Sequence, residues 1–104
     1  MKESTFQSKV IAFLHSYNVY VVNVWGGGYQ RAGIPDLLCC INGQFVAIEL
    51  KTETGRTSKL QDYNIEQIRK SNGQAFVLRP SGFKDFQNWV RQEVDKRHDG
   101  ASSI

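Results

Sequence analysis

The chain has 104 residues, of which 40% are hydrophobic, 12% aromatic and 22% charged. That is enough for one domain with a real core and no disulfide staples, and it excludes intrinsic disorder. Thirteen Lys and Arg against ten Asp and Glu give a formal charge of +3, a mild basicity that permits an anionic partner without requiring one. No apolar run approaches the roughly 18–20 residues of a membrane span. The N-terminus, MKESTFQSKV, lacks the apolar core of a secretory signal. Adjacent Cys39 and Cys40 make neither a spaced disulfide nor a Cys-x-x-Cys metal site, and are expected as two small buried hydrophobes in a reducing, cytoplasmic setting.

Phe6, Val10, Phe13, Leu14 and Tyr17 recur at helical spacing and predict a helix over about 3–17. Residues 18–25 (NVYVVNVW) are β-branched and aromatic and read as a strand. Residues 26–33 (GGGYQRAG) read as a loop, and Pro35 keeps the chain extended into Asp36. Residues 36–41 and 45–51 read as strands joined across Asn42-Gly43, the strongest short hairpin signal. A second helix over 58–71 closes at Asn72-Gly73, a strand covers 75–79, and a last helix covers 82–97 with Phe83, Phe86, Val90 and Val94 on one side. The order is α-β-β-β-α-β-α. A hairpin followed by a β-α-β crossover predicts an α/β fold, a small mixed sheet flanked by helices. Residues 1–97 form one domain and 98–104 a loose tail.

A two-residue turn at Asn42-Gly43 pairs Ile41 with Gln44 and Cys40 with Phe45. The same register sets Asp36 directly opposite Glu49, with Cβ atoms roughly 4.5–5.5 Å apart. Lys51 points the same way, two residues on. The residues between are apolar on both faces, which predicts a sheet covered on both sides with these charges entering at its end. Opposed like charges destabilise a sheet, so a divalent cation or a basic residue must compensate. Hard Mg²⁺ takes such carboxylates; the alternative is a salt bridge to Lys51.

Glu3 shares the inward face of Phe6 and Val10 if the first helix reaches back that far. A competing pattern, Ser4-x-x-Gln7, makes Ser4 the N-cap and leaves Glu3 outside. On the second helix Gln61 begins an inward stripe with Asn64, Ile65 and Ile68. A buried Gln needs a partner, which the charged site or a backbone group would supply.

Gly33-Ile34-Pro35-Asp36 followed by Glu49-Leu50-Lys51 resembles the PD-(D/E)xK nuclease superfamily. With Glu3 in the first helix and Gln61 ten residues after Lys51, the set resembles its virus-type replication-repair nuclease (VRR-NUC) branch, over about residues 3–78. The resemblance implies a divalent-metal-dependent DNA endonuclease using Mg²⁺ or Mn²⁺. It implies Glu3, Asp36, Glu49 and the Leu50 carbonyl as metal ligands, Lys51 as the catalytic lysine and Gln61 as a supporting glutamine. Stand-alone minimal members resemble homodimeric resolvases of four-way (Holliday) junctions. Two symmetric cuts need two catalytic sets, and a C2 homodimer is the economical way to provide them.

The loop before the motif lacks the Gly-Lys-Ser/Thr ending of a phosphate cradle. It is either a connector or a DNA contact through Tyr29 and Arg31. Arg56 and Lys59 flank the start of the second helix and face either phosphates or water. Other functions to weigh are a flap or nicking nuclease, a nuclease module of a larger complex, a non-catalytic DNA-binding protein, and a structural domain with a charged cluster.

Overall fold

The structure, a computed structural model, describes residues 1–24 and 32–99. The chain runs α1 (Glu3–Ser16), β1 (Tyr20–Asn23), β2 (Leu37–Ile41), β3 (Gln44–Leu50), α2 (Lys59–Lys70), β4 (Gln74–Leu78), a 3-10 turn (Pro80–Gly82) and α3 (Phe83–Asp99). The four strands form one sheet in the order β1-β2-β3-β4, antiparallel across β1, β2 and β3 and parallel between β3 and β4. This is the mixed, helix-flanked α/β sheet expected from the sequence.

Asparagines make three of its corners. Asn18, Asn42 and Asn72 have φ of 58°, 51° and 69°, the left-handed region that Asn enters more readily than other residues with a side chain. After α1, Val19 N–H closes onto the Leu14 carbonyl, and after α2 Gly73 N–H closes onto the Ile68 carbonyl. Both helices thus end with their last carbonyls satisfied. Asn42 and Gly43, the latter at φ 75°, make the hairpin turn, and β2 and β3 pair in the expected register from Ile41↔Gln44 to Leu37↔Ile48.

The main core lies between one face of the sheet and helices α1 and α3. Phe6, Val10 and Leu14 of α1 and Phe86, Val90 and Val94 of α3 meet Leu37, Cys39, Ile41, Val46, Ile48 and Leu50. On the other face α2 brings Ile65 onto Ala47 and Ala75, with Leu38 and Ile68 beside them. This layer is narrower than expected. Helix α2 has twelve residues and packs on β3 and β4, which leaves the same face of β1 and the hairpin end bare. Tyr20 is 71% and Phe45 49% exposed, and Val22 is exposed as well. Cys40, expected to be buried, sits exposed between Tyr20 and Phe45 in the pairing order, while Cys39 is buried as expected.

Two cap assignments also change. Helix α1 starts at Glu3, so Ser4 lies inside its first turn and the Ser4-x-x-Gln7 box does not form; the N-cap is Lys2, with no side-chain cap. The capping box stands at α2 instead. Gln61 N–H donates to Ser58 Oγ at 3.1 Å and Ser58 N–H donates to Gln61 Oε1 at 2.8 Å.

Candidate active site

The parallel pair β3 and β4 ends where the sheet meets the N-terminus of α2, the carboxyl end at which open α/β sheets bind ligands. Asp36 lies one residue before β2 and is stitched to the strands on either side. Its carbonyl accepts from Val24 N–H at 2.9 Å, and its Oδ2 accepts from Leu50 N–H at 2.8 Å. Leu50 N–H therefore points toward Asp36. The carbonyl of a strand residue points to the same side as its N–H, so Leu50 O faces that side too.

Glu49 is 2% exposed. Gln61 Nε2 donates to its Oε2 at 2.9 Å, and Lys51 Nζ stands 3.7 Å from the same oxygen. Glu49 Oε1 is buried with no hydrogen-bond donor, a state that costs free energy unless something compensates. Burial, and next the charge of Asp36, push the Glu49 carboxyl up to about 7. The Lys51 ammonium pulls against both, while the hydrogen bond that only a protonated Glu49 can make with Asp36, and the field of Glu3, add smaller upward contributions. The geometry answers the question that the sequence left open about Gln61. Its carbonyl oxygen caps α2 while its amide nitrogen holds Glu49, so one side chain satisfies both the backbone and the site.

Asp36, Glu49, Lys51 and Gln61 are brought together, with Leu50 O on their side. Glu3 heads α1 on the inward row with Phe6 and Val10. Among the described residues no three His, Cys, Asp or Glu side chains come together to hold one ion. Asp36 and Glu49 are a pair, and Glu3 stands apart, adding to the field on Glu49. Arg56 is exposed on the loop after Lys51, and Lys59 is the exposed first residue of α2. Tyr29 and Arg31 lie outside the described residues.

The donor set fits a hard divalent cation. Two carboxylates, one just before β2 and one on β3, the latter with a buried oxygen lacking a donor, and a backbone carbonyl facing the Asp36 side are oxygen ligands of the type such ions take. The VRR-NUC domain model matches residues 28–82, just over half of the chain. The chain belongs to the VRR-NUC family. It is a nuclease of the PD-(D/E)xK type, with DNA as its substrate. VRR-NUC nucleases are typically dependent on a divalent metal. Comparison with curated proteins and with solved structures gives no significant match. Among the described residues of this VRR-NUC chain, no helix is long and apolar enough to cross a membrane.

Sequence reasoning missed Arg79, Glu53 and Ser81, which fasten the loop after Lys51 through bonds largely to backbone atoms. The Ser58-x-x-Gln61 pattern was a usable signal for the α2 cap.

Proposed function

We propose that this VRR-NUC protein is a Mg²⁺- or Mn²⁺-dependent, structure-specific DNA endonuclease that resolves four-way junctions as a homodimer. The observation that carries the metal-dependent chemistry is the buried Glu49 Oε1, which has no donor and lies in a carboxylate pair flanked by Lys51. Asp36, Glu49 and the Leu50 carbonyl would hold the cation, with Glu3 holding a second ion or a water beside it. When bound, such an ion acidifies water and draws charge from the scissile phosphoryl group.

The protein's own groups do the rest. Leu50 N–H fixes Asp36 Oδ2 and Gln61 fixes Glu49 Oε2, so each carboxylate keeps its other oxygen for the site. Lys51 places a positive charge beside them, where it stabilises negative charge developing on the phosphate or orients the attacking hydroxide. Arg56 and Lys59, exposed beside the site, are positioned to meet backbone phosphates. Tyr29 and Arg31 of the preceding loop are proposed for the same task.

Dimerisation is supported by two considerations. One chain carries one catalytic set, and the bare sheet face with Tyr20, Val22, Cys40 and Phe45 offers an apolar surface for an isologous contact. Two free thiols, one of them exposed, suit a reducing compartment such as the cytoplasm.

The test is cleavage of labelled four-way junction, flap, nicked duplex and single-strand DNA with Mg²⁺, with Mn²⁺ and with chelator. The expected result is metal-dependent, paired symmetric cuts in the junction. Asp36→Asn and Lys51→Ala should abolish them while DNA binding persists. Cleavage by a folded Asp36→Asn protein would remove the site, and preference for flaps would replace the junction reading. Light scattering at working concentration should give twice the chain mass; a monomer that resolves junctions would contradict the dimer.

A further inference from the structure

The loop between Lys51 and the cap of α2 has no regular secondary structure, yet it is fastened at several points. Arg79, the residue after β4, donates from Nη1 to the carbonyls of Thr52 and Gly55, each at 2.6 Å, with a longer contact to the Glu53 carbonyl at 3.4 Å. Glu53 reaches back to the 3-10 turn, where its carboxylate accepts from Ser81 N–H at 2.6 Å and from Ser81 Oγ at 2.9 Å. Gly55 N–H closes the turn by donating to Thr52 Oγ1 at 3.0 Å. At its near end the loop is tied to β4 by Lys51 N–H donating to the Leu78 carbonyl at 3.0 Å.

These bonds bend the loop back over the Lys51 side chain. A Cβ placed on Gly55 would lie 3.5 Å from Lys51 Cδ, so the Gly55 backbone passes close beside the aliphatic stem, with about a methyl group's room between them. The Lys51 side chain is accordingly only 16% exposed. A free lysine stem samples many rotamers, and holding it in one costs side-chain entropy. A wall beside the stem meets that cost in advance. A guanidinium suits the task because its rigid planar fork gathers several acceptors at once, which a flexible ammonium does less well.

We propose that Arg79 is a positioning residue for Lys51: through the carbonyls of Thr52 and Gly55 it holds the loop against the lysine stem and so keeps the ammonium beside Glu49. This rests on the proposed role of Lys51 in phosphodiester cleavage. Arg79 touches neither the carboxylates nor, in this scheme, the DNA. Its effect passes through the turn, and Glu53 with Ser81 supports the turn from its other side.

The experiment compares wild type with Arg79→Ala, Arg79→Lys and Glu53→Ala. It measures kcat, KM and melting temperature, and the reductive-methylation rate of Lys51 against that of exposed Lys84 by mass spectrometry. The expected result for Arg79→Ala is a kcat lower by roughly 10–100-fold, the scale of a misplaced catalytic group, with KM changed by less than about threefold. Lys51 should methylate several-fold faster relative to Lys84. Arg79→Lys should recover stability but only part of kcat, and Glu53→Ala should show a weaker version of both effects. Unchanged Lys51 reactivity in a folded Arg79 variant, or a lowered melting temperature with full kcat, would overturn the proposal. If wild type cuts no DNA under any metal condition, the nuclease reading fails. The methylation comparison still decides whether Arg79 confines Lys51.

Discussion

Gln61 Nε2 holds Glu49 Oε2 at 2.9 Å while Gln61 Oε1 takes the Ser58 N–H that opens α2. The two ends of one amide thus couple a helix cap to a carboxylate of the active site. Substitutions separate the two jobs. Ser58→Ala removes half of the capping box and should cost about 1 kcal/mol, a fall of roughly 4–8 °C in a domain of this size, with much of the activity kept. Gln61→Glu keeps an acceptor for Ser58 N–H but replaces the donor to Glu49 with a second carboxylate. It should hold the melting temperature within a few degrees near pH 5 and lose most of the cleavage rate at pH 8. Thermal melts and single-turnover rates on the two variants check this. Equal losses of activity in both would mean that the cap alone matters.

The buried carboxyl of Glu49 makes the metal-free protein sensitive to pH. Its folded value of about 7 lies above the ordinary 4.5, because burial and then Asp36 disfavour the ionised form. The folded state therefore binds the proton more tightly than the unfolded chain. That contribution to stability is complete below about pH 4.5 and is lost as pH rises through about 7. In chelator, melting temperature should fall across this window, and Glu49→Gln should flatten that part of the curve. Added Mg²⁺ should raise the melting temperature most at the alkaline end, since a cation favours the ionised pair. A wild-type curve in chelator with no decline over this window would show that Glu49 titrates normally.

The two adjacent cysteines should behave as opposites. Burial, with a smaller push from Cys40, raises the Cys39 thiol to about 12, while Cys40 is exposed on the bare face. A thiol reagent added to native protein at pH 8 should modify Cys40 and leave Cys39 until denaturant is added. Peptide mapping of the labelled protein identifies the site. Rapid native labelling of Cys39 would mean that the sheet face under α1 and α3 opens readily.

Two glycines with positive φ differ in what surrounds them. Gly33 has φ 85°, and a Cβ there would lie 2.6 Å from Leu60 Cγ and 2.8 Å from the Leu60 carbonyl oxygen. Gly43 has φ 75° with nothing within 4 Å. Gly43→Ala should cost only the left-handed strain of roughly 1–2 kcal/mol. Gly33→Ala adds a clash against the α2 backbone and should cost clearly more, with a loss of activity because Asp36 follows three residues later. Urea unfolding midpoints for the pair test this, and equal costs would mean that α2 yields freely at Leu60.

Much of the site was legible because its geometry follows from local pairing. Asn42-Gly43 sets the hairpin register, and the register alone puts Asp36 across from Glu49 and Lys51 on the same side. Gln61 was legible as an inward polar residue, and the Ser58-x-x-Gln61 spacing carried its cap as well, whereas the similar Ser4-x-x-Gln7 pattern, set against Glu3 for the start of α1, forms no box. That earlier box fails because α1 begins at Glu3, two residues sooner than a Ser4 cap requires. The exposure of Cys40 and Phe45 was not legible. An alternating apolar strand looks the same whether a helix covers it or stops short, and the reach of α2 is a matter of tertiary packing. Nor was Arg79, whose acceptors are backbone carbonyls that every residue carries.

The hairpin turn carries one further liability, which is chemical ageing. Asn42 Nδ2 donates to Glu93 Oε2 at 3.2 Å, Lys96 Nζ approaches Glu93 Oε1 at 3.4 Å, and Glu93 is 7% exposed. The next residue is Gly43, whose lack of a side chain leaves its backbone nitrogen unhindered for attack on the Asn42 amide. Loss of ammonia through a cyclic imide would turn the donor into a carboxylate set against the buried Glu93, exchanging a hydrogen bond for repulsion. The residue that seeds the alignment of Asp36 with Glu49 is thus also a clock on the protein's shelf life. Old preparations should lose activity together with the appearance of an acidic isoform.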